Sequence, residues 1–120
     1  MPFRPVDALL PLTPIAFEIL LALAEEDRHG YAILQAVDAR VKGRLPLRTG
    51  TLYRALARLV EYGLIEEIEG SKAGSLSGED PRRRVYAISR RGRSVARAET
   101  ERLADQVAAA RSRRLLPGRS

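Results

Sequence analysis

Residues 48–63 read RTGTLYRALARLVEYG, and the fold turns on how they are read. Wound at about 100° per residue, Leu52, Leu56, Leu59 and Val60 fall on one side of a helix. Gly50, Thr51, Arg54, Ala57, Arg58 and Glu61 fall on the other. The outward face therefore begins with small residues and continues with arginines one turn apart. Small residues let a helix start approach another surface closely, where free backbone N–H groups and the helix dipole favour an anion such as phosphate. Arg48 stands just ahead of that start, and Arg54 and Arg58 are spaced to reach phosphates or the acceptor edge of guanine. An ordinary amphipathic helix with a solvated basic face has the same periodicity, so both readings stay open here.

Composition narrows the partners. The chain has 120 residues, enough for one domain, with 21 Lys and Arg against 15 Asp and Glu, a formal charge of +6. That excess favours an anionic partner without separating nucleic acid from an anionic membrane. Lys42 and Lys72 are the only lysines, so nearly all the positive charge is guanidinium, the better bidentate partner for phosphate and guanine. Cysteine is absent, which excludes disulfides, thiol catalysis and cysteine-ligated zinc. The apolar run 15–24 contains Glu18 and is too short to span a bilayer, and the first twelve residues do not resemble a signal peptide. The expectation is a cytoplasmic protein with no membrane association and no cofactor.

Upstream of the central stretch, Pro2, Pro5 and Pro11 mark residues 1–12 as an irregular arm. Thr13-Pro14 is a helix start, with Thr13 as N-cap and Pro14 in the first turn. The helix that follows, IAFEILLALAEE, is apolar nearly all round. In so small a domain this predicts a second covering surface, such as a partner subunit; a central helix wrapped by its own chain is the other reading. Residues 25–29 form a polar turn. A second helix spans about 30–41, with Tyr31, Leu34, Val37 and Val41 at helical spacing, and Gly43 and Pro46 close it. Two helices joined by a tight turn, the later one exposed, meet the requirement of a helix-turn-helix.

Downstream the period changes. Leu64, Ile65 and Ile68, then residues 84–88 (RVYAI), read as two strands, and SKAGSLSGEDPRR between them predicts a hairpin with a long tip. Lys72 on that tip and Arg82, Arg83 and Arg84 on its descending edge give it a basic border. Beside a helix-turn-helix this reads as a wing touching backbone or minor groove; a solvated loop is the other reading. Ser89 caps a last helix running to about residue 113, whose apolar content is thin: Val95, Ala96, Leu103, Val107 and Ala110. A helix so poor in apolar residues needs a surface to lie on, and we read it as a dimerisation arm packing on the first helix. The expected dimer surface is Leu12, Ile15, Ile19, Val95, Leu103, Val107 and Ala110. The division is thus an arm (1–12), a winged helix-turn-helix (13–88), a dimerisation helix (89–113) and a basic tail (114–120), in a mainly α chain with a small β-hairpin.

Three segments carry a family likeness: LTPIAFEILLALAEEDRHGYAI at 12–33, RTGTLYRALARLVEYGLIE at 48–66 and DPRRRVYAISRRGR at 80–93. In this order and spacing the chain resembles the PadR family of transcriptional regulators, in its compact branch with a single C-terminal helix. The resemblance implies a homodimer that binds a palindromic operator in double-stranded DNA, usually as a repressor, and leaves room for a small-molecule effector. By position, Thr49, Gly50, Thr51 and Tyr53 match the start of the family's recognition helix, with the Tyr53 hydroxyl on a phosphate and its ring anchoring the helix. Arg54 and Arg58 stand where family members vary and are candidates for sequence readout. His29, Gly30 and Tyr31 match the HGY segment opening the second helix, where Tyr31 packs or touches DNA backbone. Some compact members stack a flat drug on a tryptophan of the last helix; this chain has no Trp.

Two other classes compete. An enzyme is disfavoured by a single His, no Cys and no glycine-rich phosphate loop; Glu66, Glu67 and Glu69 alternate across a strand instead of pairing. A winged helix turned protein-interaction module would have no need of Arg54 and Arg58.

Overall fold

Thr13 opens the first helix, α1 (Pro14–Glu25), by accepting the Ala16 N–H on its Oγ1 at 3.1 Å, and Pro14 follows in the first turn. The computed structural model describes residues 6–45, 47–68 and 84–117. Ahead of α1, the stretch read as irregular contains a 3-10 turn, Val6–Leu9. α1 lies at the centre: α2, α3, the last helix and strand β3 (defined below) all pack against it, and Ile19, Leu20 and Leu23 are fully buried. Its own chain thus supplies part of the cover that so apolar a helix demands. Ile19, Leu20, Ala22 and Leu23 are buried by the chain itself, whereas Ile15, Ala16, Phe17, Glu18 and Leu21 stay half-buried and Ala24 is exposed.

The second helix, α2 (Gly30–Val41), buries Ile33, Val37 and Val41. It stops where Lys42 turns left-handed at φ 45°, its N–H returning to the Asp38 carbonyl at 2.8 Å, and Gly43 at φ 82° continues the turn. Helix α3 (Thr49–Glu61) buries Leu52, Leu56 and Leu59. Its end is a Schellman closure: Gly63 at φ 76° donates to the Val60 carbonyl at 3.0 Å, and Leu64 reaches back to the Leu59 carbonyl at 2.9 Å. Glycine is needed at 63 because a β-carbon is strained at that φ.

The sheet has one strand more than expected. Strands β2 (Ile65–Glu67) and β3 (Val85–Ile88) pair antiparallel, with Ile65 opposite Ile88 and Glu67 opposite Tyr86. β1 (Arg28–His29), inside the supposed polar turn, adds to the free edge of β3, giving the order β1-β3-β2. Two residues are too few to show alternation in the sequence. What recruits them is the unpaired edge of β3, and the Gly30 N–H extends the pairing to the Arg84 carbonyl at 3.1 Å.

The last helix, α4 (Arg90–Ser112), is fastened at its start. Ser89 accepts the Gly92 N–H at 2.9 Å and donates its own hydroxyl to the Gly63 carbonyl at 2.6 Å, joining the cap of α4 to the turn that ends α3. Gly92 lies so close to the Leu64 backbone that a β-carbon there would collide with the Leu64 carbonyl and come within 2.9 Å of Ile88 Cγ1. Val95 is buried, and one turn further Glu99, only 2 % exposed, accepts two hydrogen bonds of 2.8 Å from Arg102 and one from the backbone of Leu12. From Ala104 onward the helix is exposed, apart from a half-buried Ala110. Among the described residues, four helices and a three-stranded antiparallel sheet in this order make a winged helix-turn-helix with a long C-terminal helix.

Candidate nucleic-acid interface

Around α3, burial follows the wheel apart from half-buried Thr51 and exposed Val60. Leu52, Leu56 and Leu59 face the core, and Gly50, Arg54, Ala57, Arg58 and Glu61 face solvent. Val60, expected on the buried side, is 38 % exposed, because its side of the helix looks toward the sheet rather than into the core.

No side chain caps the start of α3. Arg48, Thr49 and Gly50 are all exposed there. The first N–H groups of a helix lack carbonyl partners within it, so an uncapped, exposed start offers donors and a positive dipole end to an anion. Arg54 reinforces this charge: its Nη1 lies 3.4 Å from where a β-carbon on Gly50 would sit, which folds the guanidinium over the helix start.

The two arginines of the outward face separate in space. Arg54 lies over Gly50, whereas Arg58 turns toward α1, where with Thr13, Ala16, Leu59 and Tyr62 it lines a cavity of about 160 Å³ beneath the N-terminal turn. Both border a wider cleft of about 390 Å³ shared with Thr13, Pro14, Ile15, Leu45, Thr51 and Ala55, so this side of α3 is a largely apolar groove edged by two guanidinium groups and ending at the start of α1. Thr51 is half-buried in its wall.

Tyr53 is half-buried, its ring against the core and its hydroxyl oxygen inside. The hydroxyl expected on a phosphate is thus not presented at the surface, and the ring packs against the core. Tyr31, by contrast, is 51 % exposed on the first turn of α2. Arg84 is half-buried at the wing base, and its Nη1 donates to a Glu67 carboxylate oxygen at 3.1 Å across β2 and β3. Tyr86 beside it is buried, which raises its phenol pKa; the Glu67 charge adds to the rise and Arg84 opposes it. Lys72, Arg82 and Arg83 lie outside the described residues. His29 is exposed in β1, and among the described residues no group of three His, Cys, Asp or Glu could hold a metal.

The residues expected at a dimer surface divide sharply. Ile19 and Val95 are at 0 % exposure within their own chain and offer nothing to a second copy, which corrects both assignments. Leu12, Ile15, Leu103 and Ala110 are half-buried, and Val107 is 41 % exposed. Missed entirely was Glu99, whose role depends on Leu12 being brought to it from 87 residues earlier in the chain. No signal in the sequence marks that meeting. Among the described residues no helix is long and apolar enough to cross a membrane.

Known proteins share this arrangement. A family model described as the transcriptional regulator PadR-like family matches residues 19–98. A transcriptional regulator from Clostridium thermocellum aligns over 91 % of this chain and 96 % of its own, with 24 % identity and a TM-score of 0.64. A PadR family transcription regulator from hypervirulent Clostridium difficile aligns over 83 % of this chain and 97 % of its own, with 21 % identity and a TM-score of 0.65. At these identities the two structures speak for the fold. No curated protein matches the chain.

Proposed function

This chain belongs to the PadR-like family of transcriptional regulators, and we propose that it is a homodimeric repressor that reads a palindromic operator through α3. The observation that carries the reading is the start of α3: uncapped, exposed, free of bulk at Gly50 and overlaid by the Arg54 guanidinium. A helix so equipped can lie against a phosphate strand and put its next outward turn on base edges. Arg54 is then the base-reading arginine. Arg58, turned toward the start of α1, is placed to neutralise backbone phosphate along the groove, and we assign it that role in preference to readout. Tyr31 supports the flank of the site from α2, Thr49 and Thr51 border the helix start, and Arg48 with the wing residues Lys72, Arg82, Arg83 and Arg84 adds charge. Tyr53 positions α3 from beneath.

The dimer rests on α4. Leu103, Val107 and Ala110 recur at helical spacing where the helix leaves the domain, and Leu12, beside Glu99, and Ile15 offer half-buried apolar surface. Two copies would present two α3 helices to half-sites about 34 Å apart or a multiple of that. A small-molecule effector fits such a regulator, and its chemistry is left unassigned.

Titration of duplex DNA at increasing salt tests the reading. Affinity should fall steeply, on a logarithmic slope close to the number of phosphates neutralised, because counterions are released on binding. Absence of duplex affinity at low salt would overturn it and favour a protein-interaction module.

A further inference from the structure

Two apolar side chains stand on the flank of α3 where a nucleic-acid surface is ordinarily polar. Val60 is 38 % exposed, and Ala57, one turn before it, is exposed as well. Together with Tyr53, Glu67, Arg84 and Tyr86 they line a notch of about 250 Å³ between α3 and the sheet. The charged members of that lining, Glu67 and Arg84, bond to each other at 3.1 Å, which leaves the α3 wall of the notch apolar. Ala57 follows Arg54 by one turn, about 4.5 Å further along the helix axis. A base contacted by Arg54 would therefore have its neighbour opposite Ala57 and Val60.

In the major groove only thymine presents an apolar group, its 5-methyl; the other bases show donors or acceptors that an alanine and a valine cannot satisfy. We propose that the Ala57–Val60 wall of this notch receives the 5-methyl group of a thymine in each operator half-site, next to the base pair read by Arg54. The proposal rests on the DNA-reading assignment of α3 and adds a specificity element to it. Discrimination here comes from two directions. The methyl leaves water, and any cytosine or purine in its place would bury an unmatched polar edge.

The test begins with selection of bound duplexes from a random library by the full-length chain. Each thymine of the enriched half-site is then replaced in turn by deoxyuridine, which removes only the methyl. At one thymine per half-site, adjacent to the Arg54-dependent base pair, affinity should fall about fourfold per half-site, the worth of one buried methyl. In Val60→Ala and Ala57→Gly chains the same replacement should cost less than twofold. Val60→Ala keeps good helix propensity at an exposed position, so its folding is secure and can be checked by circular dichroism. A half-site without thymine beside the Arg54 base pair, or a fourfold penalty that persists in both variants, overturns the methyl contact while leaving DNA reading intact. Failure of any sequence to enrich overturns both.

Discussion

Helices α1 and α4 pose opposite problems and resolve them in opposite ways. α1 is apolar on almost every side, which by itself demands cover, and its own chain supplies much of it: α2, α3, α4 and β3 pack against it. α4 is poor in apolar residues and would be unstable alone, yet about half of its length leaves the domain. Its first part is held by specific devices rather than by bulk, namely the Ser89 cap, the close approach at Gly92, buried Val95 and the Glu99 latch. Its second part has none of these and carries the exposed Val107. Apolar content thus says how much burial a helix needs, but not which molecule supplies it. Substitutions along the two helices can break that contrast or sharpen it.

The largest effect is expected at Leu20 of α1. With Leu20 at 0 % exposure, Leu20→Ala should cost about 2–5 kcal/mol of unfolding free energy while leaving oligomeric state unchanged below the transition. Urea unfolding followed by circular dichroism measures the first, and sedimentation the second. Dissociation without loss of monomer stability would mean that the Leu20 face of α1 belongs to the interface. Next comes Gly92→Ala. The new β-carbon cannot coexist with the Leu64 carbonyl, so α4 must lift at its start, at a cost of about 1–3 kcal/mol or more, read by the same unfolding. A neutral result would show that the close approach relaxes freely.

Glu99 should give an intermediate effect with a pH signature. The two hydrogen bonds from Arg102 hold its carboxyl below the ordinary carboxylate range; the Arg102 charge and the Leu12 backbone act the same way, against the opposing pull of burial. A depressed folded-state pKa stabilises at pH values above the unfolded pKa, and that stability is lost as pH falls through the folded value. Glu99→Gln should therefore lower stability near neutrality by about 1–3 kcal/mol, with the gap to the parent closing in acid. Parallel stability curves across acidic pH would remove Glu99 from the account. The smallest effect on folding belongs to Val107→Glu. It should change monomer stability by no more than about 0.5 kcal/mol, yet shift sedimentation toward monomer. An undisturbed dimer would move the subunit contact elsewhere.

What could be read from the chain in advance was whatever is decided within a few residues. Thr13-Pro14 and Ser89 announce helix starts because a cap acts on an N–H three positions on. The leucines of α3 announce a buried face because one helix carries all of them. Val60 shows where that logic ends: the wheel puts it near Leu56, but its exposure depends on how far the sheet stands from α3. β1 escaped notice for the same reason, since Arg28 and His29 become a strand only through the edge of β3. Arg54 and Arg58 look equivalent on the helix and part company only against α1. In the candidate site, then, the element and its outward face were legible, and the division of its two arginines between the helix start and α1 was not.

That division gives the central claim its most direct test: compare the parent chain with Arg54→Ala on the selected operator and on a scrambled duplex of equal length. If Arg54 reads a base, the variant should lose about 1–3 kcal/mol on the operator and far less on the scrambled duplex, so that discrimination shrinks. Equal losses on the two duplexes, or none, would contradict a reading role for this face of α3.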